Sequence, residues 1–286
     1  MTQPAVYRTI PEMRNAVAVA RNAGQRVGLV PTMGALHAGH ARLIRDAHSE
    51  CDFVVVSIFV NPTQFGPNED FERYPRAFEA DRELCAQCGA AAIFAPGSES
   101  MYPTGFRTFV EVEDLLDVLC GASRPGHFRG VCTIVLKLFH IVQPDFAYFG
   151  QKDAQQALII SRMVQDLDIH VGLRIVATVR EPNGLAMSSR NRYLDAEQRR
   201  NAAGLWQTLL AAQQLIKDGE RCPLAVERMM EARLVNIPGA RTDYARVLSS
   251  ETLRPLQRLQ GSILIALAVY FGETRLIDNM QLQVEN

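Results

Sequence analysis

His37 and His40 stand three residues apart in Val30-Pro31-Thr32-Met33-Gly34-Ala35-Leu36-His37-Ala38-Gly39-His40. At a helix start that spacing puts both imidazoles on one face. The apolar run Val27 to Val30 leads into the stretch, and the periodic segment His40 to His48 leads out. A buried strand, a tight turn and a helix start are therefore expected. The unpaired N–H groups and positive dipole end of such a start suit an anion. Gly34 and Gly39 let the backbone turn sharply and approach it. Two imidazoles facing one anion form a phosphate-handling device. It is neither the Rossmann glycine fingerprint nor a Walker loop, because neither spacing is present. The plainer alternatives are a helix cap or half of a metal site, and no third ligand stands at a convincing spacing.

Other stretches carry chemistry of the same kind. Asp145 to Phe149 reads as a strand that ends in Gly150-Gln151-Lys152-Asp153-Ala154-Gln155-Gln156. Lys152 offers an ammonium suited to phosphate. Asp153 is a candidate N-cap, ribose partner or Mg²⁺ partner. Gln156, one turn into the following helix, faces the same mouth. Phe53 to Phe59 reads as a buried parallel strand that empties into an amide-rich loop over 60–68. Asn61 and Gln64, beside Phe65, either meet a ligand there or close the turn. The segment 180–191 contains Met187-Ser188-Ser189-Arg190, able to bind a triphosphate or to cap the next helix. In Arg124-Pro125-Gly126-His127-Phe128-Arg129-Gly130, the two arginines face an anion or solvent, with solvent favoured. Cys85 and Cys88 form a C-x-x-C pair with no second pair, so redox or metal work is disfavoured.

The elements that must position these residues follow from periodicity. Helices are expected at Ile10 to Gly24, Pro75 to Gly89, from the Arg124–Gly130 loop onward, and at Leu158 to Leu167. Strands are expected at Ala91 to Ala95, Phe106 to Val110 and Leu173 to Val179. Past 181–190 the pattern changes to helices at Asp195 to Lys217 and Leu224 to Val235. Alternating runs follow at Tyr244 to Leu248, Ser262 to Phe271 and Leu276 to Asp278. The reading is α/β over 1–183, then a smaller α+β domain over 184–286.

Composition narrows the function. With 48% hydrophobic and 21% charged residues in 286, the chain reads as an ordinary globular protein. A net charge of −1 gives no general attraction to nucleic acid or to an anionic membrane. No apolar run approaches the roughly 18 residues of a membrane span. Met1 to Met13 lacks signal-peptide features. Six cysteines in this length do not suggest a disulfide framework, so a reducing cytoplasm is expected.

Taken together, the chain resembles the pantothenate synthetase (pantoate–β-alanine ligase) family. The resemblance covers most of the chain. It rests on Pro31 to His40, Phe59-Val60-Asn61-Pro62-Thr63-Gln64-Phe65, Arg124 to Val131, Phe149-Gly150-Gln151-Lys152-Asp153 and Met187-Ser188-Ser189-Arg190-Asn191. The first motif alone points only to the wider nucleotidyltransferase superfamily; the five in this order are specific to the ligase. The resemblance implies a Rossmann-like N-terminal domain with a smaller C-terminal lid, in a homodimer. It implies condensation of (R)-pantoate with β-alanine, driven by ATP with Mg²⁺ through a pantoyl-adenylate, releasing AMP and pyrophosphate. The ATP site it implies is Met33, Gly34, Ala35, Leu36, His37, Ala38, Gly39 and His40, then Gly150, Gln151, Lys152 and Asp153, then Val179, then Met187, Ser188, Ser189 and Arg190. Gln64 and Gln156, with Asn61 and Met33, are the implied substrate contacts, and His40 is the family's proton donor. His37, Lys152 and Arg190 complete the expected catalytic set. Gln151 departs from the pattern, where Glu or Lys is expected. The alternatives are an adenylylating enzyme for another small carboxylate and a nucleotide-binding regulator without turnover.

Overall fold

The computed structural model describes residues 3–67 and 69–285, so Asn68, at the end of the amide-rich loop, lies outside the described residues. By internal contacts the chain divides into two compact units.

The first unit takes residues up to Asp117, with Gly121–Gly150 and Gln156–Ala177. Its elements run β1 (Ala5–Tyr7), α1 (Ile10–Asn22), β2 (Val27–Thr32), α2 (Ala38–Glu50), β3 (Phe53–Ile58), α3 (Phe78–Cys88), β4 (Ala92–Phe94) and α4 (Ser98–Met101). The short α5 (Cys120–Ser123) precedes α6 (His127–Val142), β5 (Phe146–Gly150), α7 (Ala154–Asp166) and β6 (Gly172–Val176). The six strands are parallel in the order β1-β4-β3-β2-β5-β6. The apolar runs of β2 and β3 form its middle, where Leu29, Val30, Val54, Val55 and Val56 have no exposed surface. That is the texture of strands covered on both faces. From β2 the chain steps outward to β3 and β4 on one side, and it later places β5 and β6 on the other. β2 and β5 are therefore the neighbours at which the winding reverses. Open α/β sheets bind ligands beyond the carboxyl ends of such a pair, here Thr32 and Gly150.

Phe106 to Val110 is not a strand. Phe106 packs edge-on against Phe109 with centroids 5.4 Å apart, and the Val110 amide donates to Thr133 Oγ1 at 3.0 Å. Its aromatic content, which raises strand propensity, is used in ring stacking instead. The edge strand β1 was not anticipated; it is only Ala5–Tyr7 long.

The second unit comprises Val118–Cys120, Gln151–Gln155 and the chain from Thr178 onward. The division at 177/178 falls ahead of the 183/184 joint expected from sequence. Its helices are α8 (Ala196–Ala202), α9 (Gly204–Lys217) and α10 (Pro223–Val235), and its strands β7 (Ala240–Ser249), β8 (Gly261–Phe271) and β9 (Thr274–Val284). The single helix read over 195–217 is two, broken at Ala203; apolar periodicity continues across the break and hides it. Asp195 caps α8 in a capping box with Gln198. The strands form an antiparallel sheet in the order β7-β8-β9. Ile263, Ile265, Leu267 and Val269 alternate along β8 and pack in one core with Leu205 and Leu209 of α9 and Met230 and Leu234 of α10. No helix among the described residues is long and apolar enough to cross a membrane.

Candidate active site

The loop after β2 is built around backbone strain. Thr32 Oγ1 donates to Ser57 O at 2.6 Å and accepts from the Gly34 amide at 3.1 Å. Gly34 has φ +81°, and a Cβ there would stand 3.0 Å from Asp81 Oδ2. Ala35 follows at φ 51°, a left-handed conformation that a non-glycine residue adopts at a cost. Asp81 on α3 holds it. That carboxylate is 2% exposed and accepts from the Ala35 amide at 2.9 Å and the Leu36 amide at 2.7 Å. The sequence reading missed Asp81. Its signal was an acidic residue in line with Cys85 and Cys88 on the buried face of α3.

The two histidines then start α2. His37 is the N-cap, with extended backbone, and its Nδ1 accepts from the Gly39 amide at 3.1 Å. His40 Nδ1 accepts from the His37 amide at 3.3 Å. This is a reciprocal capping box made of imidazoles, where Ser or Thr with Glu or Gln is usual. The ring centroids lie 4.2 Å apart. Because each Nδ1 accepts, each neutral ring carries its hydrogen on Nε2. The cap reading and the anion reading thus describe the same residues, the cap fixing which nitrogen can donate. Gly34, Ala35 and Leu36 are buried or nearly so, and Met33 is half-buried.

Beyond β3, Asn61 opens a 3-10 turn, Pro62–Gln64. Asn61 has no exposed surface. Its Oδ1 accepts from Thr63 Oγ1 at 3.0 Å, and its Nδ2 donates to Gln64 Oε1 at 2.9 Å and to Gly130 O at 3.1 Å. Gly130 is required, since a Cβ there would stand 2.4 Å from Thr63 O. Arg124 does not face solvent: it pairs with Glu69 at 2.5 Å and donates to Gln64 O at 3.2 Å. Arg129 stacks on the Phe109 ring, 3.8 Å from its centroid. Gln156 is half-buried on α7.

The remaining expected residues belong to the second unit. Gln151, Lys152 and Asp153 form a 3-10 turn, all half-buried. Asn279 of β9 ties it down, donating through Nδ2 to Gln151 O at 3.0 Å and Lys152 O at 2.7 Å. Gln151 Nε2 donates in return to Asn279 Oδ1 at 3.2 Å, a pairing that a neutral amide serves. The backbone amide of Met187 donates to Val179 O at 2.9 Å, joining two of the residues expected at ATP. Ser188 Oγ accepts from the Arg190 amide at 3.2 Å, so it caps the 3-10 turn Ser189–Tyr193. Arg180 reaches Asp278 at 2.6 Å and stacks on Trp206. Asn279 and Asp278 were also missed; they sit in a strand whose alternation reads as structural.

Cys85 and Cys88 are buried free thiols, and burial pushes Cys85 up to about 12 and Cys88 upward. Neither is poised as a thiolate. Among the described residues no group of three or more His, Cys, Asp or Glu side chains could hold a metal ion.

A parallel α/β sheet with a histidine-capped helix at its reversal point, joined in one chain to an α+β unit, defines a nucleotide-using enzyme of the Rossmann-like type. The family model described as pantoate–β-alanine ligase matches residues 5–281, and the chain belongs to that family. The pantothenate synthetase of Moorella thermoacetica is 57% identical over 281 residues, covering 98% of this chain and 99% of that protein. The crystal structure of pantothenate synthetase from Thermus thermophilus superposes with TM-score 0.92 at 46% identity, covering 99% of this chain and all of that one. The pantoate–β-alanine ligase of Francisella tularensis, solved in complex with β,γ-ATP and β-alanine, superposes with TM-score 0.78 at 35% identity, covering 97% of each chain.

Proposed function

We propose that this chain joins (R)-pantoate to β-alanine in two steps, through a pantoyl-adenylate, with release of pyrophosphate and then AMP. The observation that carries the reading is the reciprocal histidine cap at the carboxyl end of β2. It presents Nε2–H donors and a helix N-terminus beside a strained, carboxylate-held loop. The pantoate carboxylate is ionised at neutral pH, so adenylation needs no general base. The barrier is bringing that anion to a polyanionic α-phosphate, and fixed donors and positive charge lower it. His37 and His40 supply hydrogens, and Lys152 and Arg190 supply charge. Met33 to His40, Gly150 to Asp153, Val179 and Met187 to Arg190 bind ATP. Gln64 and Gln156, with Asn61 and Met33, hold pantoate, and Gln64 also meets β-alanine. Neutral amides orient a hydroxy acid without a buried ion pair. In the second step the β-alanine amine attacks the acyl carbon and AMP leaves; the site positions the amine and excludes water.

The donor set fits a Mg²⁺ carried on the triphosphate, which needs one or two carboxylates and water rather than a protein cage. Asp153 is the carboxylate that would ligate it, and the ion neutralises phosphate charge. A homodimer in the cytoplasm belongs to the same reading. The test is pyrophosphate–ATP exchange with pantoate present and β-alanine absent. Pantoate-dependent exchange supports the adenylate and the substrate together. Exchange only with another acid keeps the chemistry and replaces the substrate. Its absence despite ATP binding overturns the adenylate step, unless full three-substrate turnover shows that the amine is obligatory.

A further inference from the structure

The Arg124–Gly130 segment has no part in the chemistry above, yet it closes on the residue proposed to hold pantoate. His127 Nδ1 lies 2.8 Å from Gln64 O, and Arg124 Nη1 lies 3.0 Å from His127 Nε2. A carbonyl only accepts and a guanidinium only donates. The ring must therefore donate from Nδ1 and accept at Nε2, which leaves a single possibility: neutral imidazole with its hydrogen on Nδ1. This is the opposite tautomer to that of His37 and His40. Arg124 also donates directly to Gln64 O through Nη2 at 3.2 Å. It is held in turn by Glu69, with Nε to Oε1 at 2.8 Å and Nη2 to Oε2 at 2.5 Å. The Gln64 carbonyl thus takes two hydrogens, one from each side chain. From the other side, Asn61 fixes its Oε1 and bonds Gly130 O on the same helix, α6.

We propose that His127 and Arg124 are positioning residues for substrate binding. They form a relay, Glu69 to Arg124 to His127 to the Gln64 carbonyl, that sets the backbone from which the Gln64 side chain meets pantoate. The inference rests on Gln64 holding pantoate. The relay works only with a ring that accepts on one side and donates on the other. Gln at position 127 offers the same pair of functions through its carbonyl oxygen and amide nitrogen, whereas Phe keeps the volume and offers neither.

The experiment measures pantoate-dependent pyrophosphate–ATP exchange for wild type, His127→Phe, His127→Gln and Gln64→Ala, with thermal unfolding of each. His127→Phe is expected to raise the pantoate KM about tenfold, the scale of losing one hydrogen bond to a positioned group, with the ATP KM within about twofold of wild type. His127→Gln is expected to recover most of that loss. Equal increases in both KM values, or an unchanged pantoate KM in His127→Phe while Gln64→Ala raises it, overturn the relay. Failure of His127→Gln to recover any of the loss also overturns it. An unchanged pantoate KM in Gln64→Ala instead refutes the assignment of Gln64, separately from the relay. Should His127→Phe fail to fold, Arg124→Gln carries the same KM comparison.

Discussion

The His37 backbone amide donates to Nδ1 of His40, one turn further along α2, at 3.3 Å. One ring is thereby oriented by the other's main chain, and its hydrogen is committed to Nε2. Removing a donor aimed at developing charge typically costs about 10²–10³ in rate. His40→Ala is expected to lose that much in pyrophosphate exchange while remaining folded, since a lost cap costs only about 0.5–2 kcal/mol. Near-wild-type turnover would refute the role.

Lys152→Ala is expected to show a loss of the same size, about 10²–10³ in rate. Asn279→Ala leaves the ammonium in place but frees the carbonyls of Gln151 and Lys152. It is expected to raise the ATP KM with a smaller loss in kcat. Steady-state kinetics on the two variants separates charge from placement.

Asp81 accepts from the Ala35 amide, in left-handed backbone, and from the Leu36 amide beside it. Asp81→Ala leaves the Ala35 and Leu36 N–H groups buried without this acceptor, at a cost of about 1–3 kcal/mol. Urea unfolding should show that loss. The ATP KM should rise as well, since Gly34 and Ala35 lose the group that holds their left-handed turn.

Glu181 sets a pH window. Burial alone would raise its carboxyl, but hydrogen bonds from Arg199 and Asn191 and the guanidinium charge outweigh it, holding it below its ordinary 4.5. A lowered carboxylate stabilises the fold above its unfolded value, and that contribution disappears as pH falls through the folded value. The wild type should lose stability as pH drops below 4.5, and Glu181→Gln should lose less over the same interval. Thermal melts from neutral pH down into the acid range would show whether the two curves converge.

Cys222 is exposed and the other five thiols are buried. Titration of the native protein with a thiol reagent should therefore modify one cysteine rapidly, and all six after denaturation. Fast native modification of Cys85 or Cys88 would reopen a redox role for that pair.

The sequence exposes what periodicity and local spacing encode. β2, β3 and the histidine-bearing helix stand out because apolar runs, glycines and the i, i+3 pair lie within one short segment. Asn279 and Glu69 do not, because each acts on a loop tens of residues away, and nothing local marks a polar side chain as a support for distant backbone; Asp81 shows only through its place on the buried face of α3. Arg124 of the 124–130 loop was misread for the same reason, since its partner Glu69 comes from elsewhere in the chain. Arg129 is exposed, as expected, and adds a stack on the Phe109 ring. The aromatic run 106–110 shows the reverse error, in which local propensity indicated a strand that ring stacking replaced.

The Asn61 bond engages Gln64 Oε1 as an acceptor and so fixes which end of that amide is oxygen and which is nitrogen. To an arriving molecule it is a dipole that cannot be reversed. A zwitterion meeting its nitrogen end turns its carboxylate inward and its ammonium away. On the proposed assignment of Gln64 to β-alanine, the sign of one locked amide governs which end of that molecule is left for the activated acyl group, a form of regiochemical control exercised without any formal charge.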